Sequence, residues 1–82
     1  MKVQAEVSLY PLRQDDLTKP IQQFVESLKS NNLKVKTGPM SSVISGDSKK
    51  VFQSLQKAFA QAAQKYEVVL TAKISNTCTE IE

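Results

Sequence analysis

The sequence predicts an α+β sandwich in which four antiparallel strands carry two helices on one face, in the order βαββαβ. Three observations lead there. The two ends of the chain, around residues 3–10 and 68–75, alternate polar and apolar residues with period two, as half-buried strands do. Two segments between them repeat apolar residues at helical spacing. A Gly-Pro turn signal separates two short strand-like stretches between those helices, as in a hairpin. Strand–helix–strand units joined by right-handed crossovers then give the split βαβ, or ferredoxin-like, sandwich.

In the first strand, Val3, Ala5, Val7 and Leu9 point one way and Gln4, Glu6, Ser8 and Tyr10 the other. Pro11 lacks a ladder donor and is expected to end it. The polar stretch Leu12 to Leu17 leads to Thr18, a candidate helix cap, and Pro20 fits a first helical turn. Ile21, Phe24, Val25 and Leu28 form the stripe of the first helix. Ser30, Asn31 and Asn32 stop it, an Asn being able to turn left-handed. Leu33 to Thr37 reads as a short strand, Gly38-Pro39 as the turn, and Met40 to Ser45 as the third strand, broken by Gly46. Asp47 or Ser48 can cap the second helix, whose expected apolar stripe is Val51, Phe52, Leu55, Phe59, Ala62, Ala63 and Tyr66. Val68, Leu70, Ala72 and Ile74 alternate with Val69, Thr71, Lys73 and Ser75 in the last strand, and a polar tail follows from about residue 76.

With 82 residues the chain forms one domain, residues 1–82, and its single cysteine rules out an internal disulfide. A domain this small buries only about 60 to 65% of its unfolded surface, so self-association is a natural source of further stability. Histidine is absent, and with one cysteine the usual zinc, haem and iron–sulfur sites and every His-dependent triad drop out. No cofactor is expected. The net charge of +3 comes from dispersed lysines and a single arginine, Arg13, instead of the basic stripe of a nucleic-acid binder. The third strand also lacks the exposed aromatics of an RNA-binding sheet. No segment reads as a signal peptide or membrane span, so a cytoplasmic location is expected.

Helices on one face leave the other face of the sheet open. It should carry Gln4, Glu6, Ser8 and Tyr10 beside Val69, Thr71, Lys73 and Ser75, a mixture suited to a polar ligand or to a second copy of the chain. Each candidate also has a plain structural use. Glu6 can pair with Lys73 across the sheet, Tyr10 can pack at the strand end, and Met40 can fill the core. Ser41 and Ser42 suit a turn, Asp47 a helix cap, and Cys78 in the tail has no cationic neighbour to activate it.

At EVSLYPL (Glu6 to Leu12) and GPMSSVISGD (Gly38 to Asp47), with the KVFQSLQKAF helix and KIS (Lys73 to Ser75) following, the chain resembles the YkoF-like family of thiamine-binding proteins over nearly its whole length. The resemblance implies a ferredoxin-like domain that associates through its sheets into dimers or tetramers and binds thiamine or its hydroxymethylpyrimidine half without catalysis. Ser42 stands where the family often has Thr, which keeps the hydroxyl. In this reading Glu6 accepts from the ligand amine or balances its charge, and Ser8, Ser41 and Ser42 supply hydrogen bonds. Tyr10 and Met40 pack against a ring, and Asp47 is a further candidate. Two alternatives share the fold: a small acyl-phosphate hydrolase using Arg13 as an anion-binding residue, and an assembly domain without a ligand.

Overall fold

In a computed structural model describing residues 1–77, the chain forms β1 (Lys2–Leu12), α1 (Thr18–Lys29), β2 (Lys34–Thr37), β3 (Ser42–Asp47), α2 (Ser48–Lys65) and β4 (Glu67–Ser75). The strands make one antiparallel sheet of order β2-β3-β1-β4, with each crossover skipping one strand position. This is the expected ferredoxin-like sandwich. Cys78 lies outside the described residues.

The register sorts the side chains between the two faces. Residues directly opposite in an antiparallel pair share a face, so Val3, Ala5, Val7 and Leu9 of β1 lie with Ile44 of β3 beneath the helices. The core adds Phe24 and Leu28 from α1, Leu33 ahead of β2, and Val51, Leu55 and Ala58 from α2. Burying a Leu or Val side chain contributes on the order of 1.5–3 kcal/mol, and Leu28, Ile44, Val7 and Val51 are the largest side chains that are fully enclosed.

Several local expectations change. Pro11 does not end β1: it pairs with Val68, and the strand continues to Leu12. The β3 register stops at Val7↔Ser42. Beyond that point β4 is the one strand beside β1 among the described residues, and on the side away from β4 a missing N–H removes no ladder bond to them. Gly46 does not break β3, which runs to Asp47. A Cβ there would lie 2.8 Å from Leu33 Cδ2, so Gly46 permits close packing of the chain entering β2. The third strand starts at Ser42, leaving Met40 and Ser41 in a turn closed by Gly38 N–H donating to the Ser41 carbonyl at 2.8 Å.

Thr18 is the first helical residue rather than the cap of α1; its N–H donates to Asp16 Oδ1 at 2.9 Å, so the upstream carboxylate satisfies that amide. Asn32 takes the left-handed conformation after α1, φ 61°. On α1, Phe24, Val25 and Leu28 are buried, while Ile21 at the edge of the stripe is exposed. On α2, the buried line is Val51, Ser54, Leu55 and Ala58, whereas Phe52 (56% exposed), Phe59 (39%) and Ala63 face outward. Each helical residue turns about 100°, which places Phe52 a quarter-turn from Val51 despite its size. Ala72 and Ile74 are likewise exposed on the outermost strand, which packs against the core through Val68 and Leu70. No helix among the described residues is long and apolar enough to cross a membrane.

Candidate functional site on the open sheet face

Four rows cross the open face. Lys34, Ser45, Gln4 and Ser75 are aligned, followed by Lys36, Val43, Glu6 and Lys73, then Ser8 with Thr71 and Tyr10 with Val69. The predicted neighbours on β1 and β4 are therefore in register. Tyr10 is half-exposed and Val69 nearly so, which gives this end of the face an uncovered apolar patch.

The turn between β2 and β3 folds against β1 through two side-chain bonds. Ser41 Oγ donates to Glu6 Oε2 at 3.0 Å, and Ser8 Oγ donates to the Met40 carbonyl at 3.3 Å. Glu6 does not pair with Lys73: among the described residues its carboxylate is engaged by Ser41, and Lys73 makes no ion pair. Glu6, Ser8, Met40 and Ser41 are thus brought together. The Met40 side chain is 87% exposed at the tip of the turn, so it is not core filler.

Ser42 adjoins that cluster from the helix-facing side, and Asp47 stands apart from it. Ser42 pairs with Val7 and Thr37 on the helix-facing side and is buried, so it does not reach the open face. The period of two carries the reason: with Ile44 in the core, Ser42 shares its side and Ser41 does not. Asp47 lies opposite Lys2 at the far end of the sheet and caps α2, its carboxylate accepting from Lys49 N–H at 3.2 Å. It also accepts from the Met1 ammonium at 3.3 Å. That hydrogen bond, opposed by partial desolvation and aided by the ammonium's charge, holds the Asp47 carboxyl below its ordinary value of 3.8.

Two hollows border the cluster. Beneath the turn a cavity of about 90 Å³ is bounded by Ser8, Ser42, Met40 and the α1 residues Ile21, Phe24 and Val25. On the sheet itself a depression of about 270 Å³ is lined by Gln4, Glu6, Val43, Lys73 and Ser75. A larger groove of about 340 Å³ runs between the helices past Phe24, Ala58, Lys65 and Tyr66, and it contains none of the predicted site residues. An oriented carboxylate and hydroxyls converge on the sheet side instead. Sequence reasoning missed Ser45, which is 3% exposed with a hydroxyl that has no partner among the described residues. The same parity that places Ser42 inside puts Ser45 beside Gln4 on the open face.

Arg13 leaves β1 with φ 57°, and its Nη1 donates to Glu67 Oε1 at 2.6 Å. The charge that a hydrolase reading needs is therefore already matched by a carboxylate.

The profile of the YKOF-related family matches residues 2–80. Among solved structures, a hypothetical protein of Methanocaldococcus jannaschii is 29% identical, with a TM-score of 0.86 over 98% of this chain and 84% of its own. A protein of Streptococcus pneumoniae is 25% identical, with a TM-score of 0.86 over 99% of this chain and 90% of its own. A proposed thiamine biosynthesis or salvage protein of Thermotoga maritima is 20% identical, again with a TM-score of 0.86, over 94% and 85% of the two chains. No curated protein matches the chain at a significant level.

Proposed function

The chain belongs to the YkoF-related family, and from that premise we propose that it is a non-enzymatic binding protein for thiamine or its hydroxymethylpyrimidine half, working in the cytoplasm as a homo-oligomer. The observation that carries this reading is the Glu6 carboxylate, held by Ser41 on an uncovered sheet face beside Ser8 and Tyr10. Thiamine joins a flat aminopyrimidine, whose edge needs donors and acceptors, to a cationic thiazolium that favours a carboxylate. Glu6 can accept from the amine or balance the cation, the Ser8 and Ser41 hydroxyls can bond the ring edge, and Tyr10 and Met40 offer surface to its faces. The description of the Thermotoga maritima protein as acting in thiamine biosynthesis or salvage supports the same ligand class.

Neither hollow beside the Glu6 cluster encloses such a molecule. Small-molecule pockets usually measure roughly 300–1,000 Å³ and bury most of the ligand, whereas the turn cavity of about 90 Å³ and the open depression of about 270 Å³ fall short. A second sheet laid over the first supplies the missing wall and covers Val43, Val69 and Tyr10 together. Calorimetric titration with thiamine tests the ligand: saturable heat is expected, with at least tenfold weaker binding for Glu6→Gln. Absence of heat at millimolar thiamine would sink the reading.

A further inference from the structure

β4 is the outer strand beside β1, and over residues 67–74 its far edge meets no other strand among the described residues. A free edge is a template for a further strand, and proteins blunt such edges with short length, lysines or inward-pointing charges. The opposite edge is blunted in this way: β2 has four residues, and Lys34 and Lys36 are exposed on it. β4 is different. It has nine residues, no proline or glycine, and only the apolar Val68, Leu70, Ala72 and Ile74 at the alternate positions turned toward the helices.

The helix beside this edge is apolar as well. At about 100° per residue, Phe52, Phe59 and Ala63 share one flank of α2, while Gln61, which the α1 residue Ser27 reaches by a hydrogen bond, lies on the opposite flank. Of the two helices it is α2 that packs against β4, so the phenylalanine flank faces the free edge. α2 starts beside Asp47, at the end of the sheet where β4 finishes, which sets Phe52 toward Ile74 and Phe59 toward Leu70. Phe52 is more than half exposed, and Phe59, Ala63, Ala72 and Ile74 are exposed too. An apolar strip thus runs along the edge strand, and continuous exposure of this kind marks an interaction surface.

A second copy of the chain fits it. When two β4 strands run antiparallel with Leu70 opposite the partner's Leu70, Val68 meets the partner's Ala72 on the helix side. In the same register Glu67 meets the partner's Lys73 on the open-face side. Apolar residues oppose apolar ones, and the two charges of the strand meet their opposites twice by symmetry. Lys73, which makes no ion pair among the described residues, gains a carboxylate in this way. The Arg13 bond engages Oε1 of Glu67, and a carboxylate has a second oxygen to accept with.

We infer that the chain pairs with a second copy β4 to β4 in this register, joining two four-stranded sheets into one of eight strands. Edge pairing extends the sheet in its own plane and leaves the open face uncovered. It is therefore a different interface from the face-to-face contact proposed above, and it does not depend on the ligand.

Sedimentation of the full chain over a concentration series, combined with hydrogen exchange of its β4 amides, tests this. The parent is expected to associate, and its β4 amides to exchange more slowly as it does. Ala72→Lys sets a charge in the strip at an exposed position; it should halve the mass of the assembly and keep the parent's far-UV circular dichroism. Lys73→Glu is expected to weaken association several-fold, and Glu67→Lys combined with Lys73→Glu to restore it. A parent that stays monomeric, or that associates with no slowing of the β4 amides, overturns the inference. So does an assembly whose mass survives Ala72→Lys, or a double variant that associates no better than Lys73→Glu alone.

Discussion

At Glu6 a single hydrogen bond decides what the carboxylate is available for. A cross-strand pair with Lys73 would contribute roughly 0.2–1 kcal/mol; the structure instead directs Glu6 Oε2 to the Ser41 hydroxyl at the turn. Ser41→Ala is expected to weaken thiamine binding several-fold with a change in stability within about 0.5 kcal/mol, because the bond is exposed. Calorimetry and a denaturant melt read the two separately. Asp47 belongs to the fold instead. Asp47→Ala removes the α2 cap and should lower the midpoint of a urea melt, with little change in ligand affinity. Its folded-state carboxyl is depressed, so the stability it contributes is fully present above 3.8 and is lost as pH falls through the lower folded value. The Asp47→Ala melt should therefore differ from the parent at neutral pH and converge on it in acid. At this scale the sequence was half legible. Glu6, Ser8 and Tyr10 were placed correctly by alternation, and Asp47 by its position ahead of a helix. The partner of Glu6 was not, since Ser41 lies 35 residues away and only the folded turn brings it near.

Among the elements, α2 shows where side-chain size misleads. Phe52 and Phe59 are bulky enough to suggest core positions, yet Val51, Leu55 and Ala58 hold the buried line. Leu55→Ala is expected to destabilise by about 2–5 kcal/mol through the cavity it leaves. Phe52→Ser should stay within about 1 kcal/mol, since its ring is more than half exposed. Chemical denaturation of the two variants distinguishes the observed stripe from the one read off the sequence. Gly46 makes the converse point within β3. A glycine reads as a strand breaker in isolation; here the strand continues and the absent side chain leaves room for Leu33. Gly46→Val should cost about 1–3 kcal/mol by overpacking. The succession of strands and helices along the chain was legible because their periods are local. The ends of β1 and β3 were not, because they depend on which neighbour lies alongside Pro11 and Gly46.

For the whole molecule, the division of labour lies between two faces of one sheet. The helix side supplies a closed core from β1, α1, β3 and α2 with Leu33 ahead of β2, while β2 and β4 add the partly buried Val35, Val68 and Leu70 at its margin. A small core leaves little reserve: a domain of this length is stable by roughly 4–12 kcal/mol. The other side presents Val43, Tyr10 and Val69 among polar groups, and covering it with a second copy would add stability and close the ligand site together. The most direct measurement is a crystal structure of the protein grown with thiamine. The account predicts the ligand between two sheets, its amine or thiazolium within hydrogen-bond or ion-pair reach of Glu6 and its ring edge at Ser8 or Ser41. Thiamine seated in the helix groove beside Phe24 and Tyr66, with the sheet face bare, would contradict it.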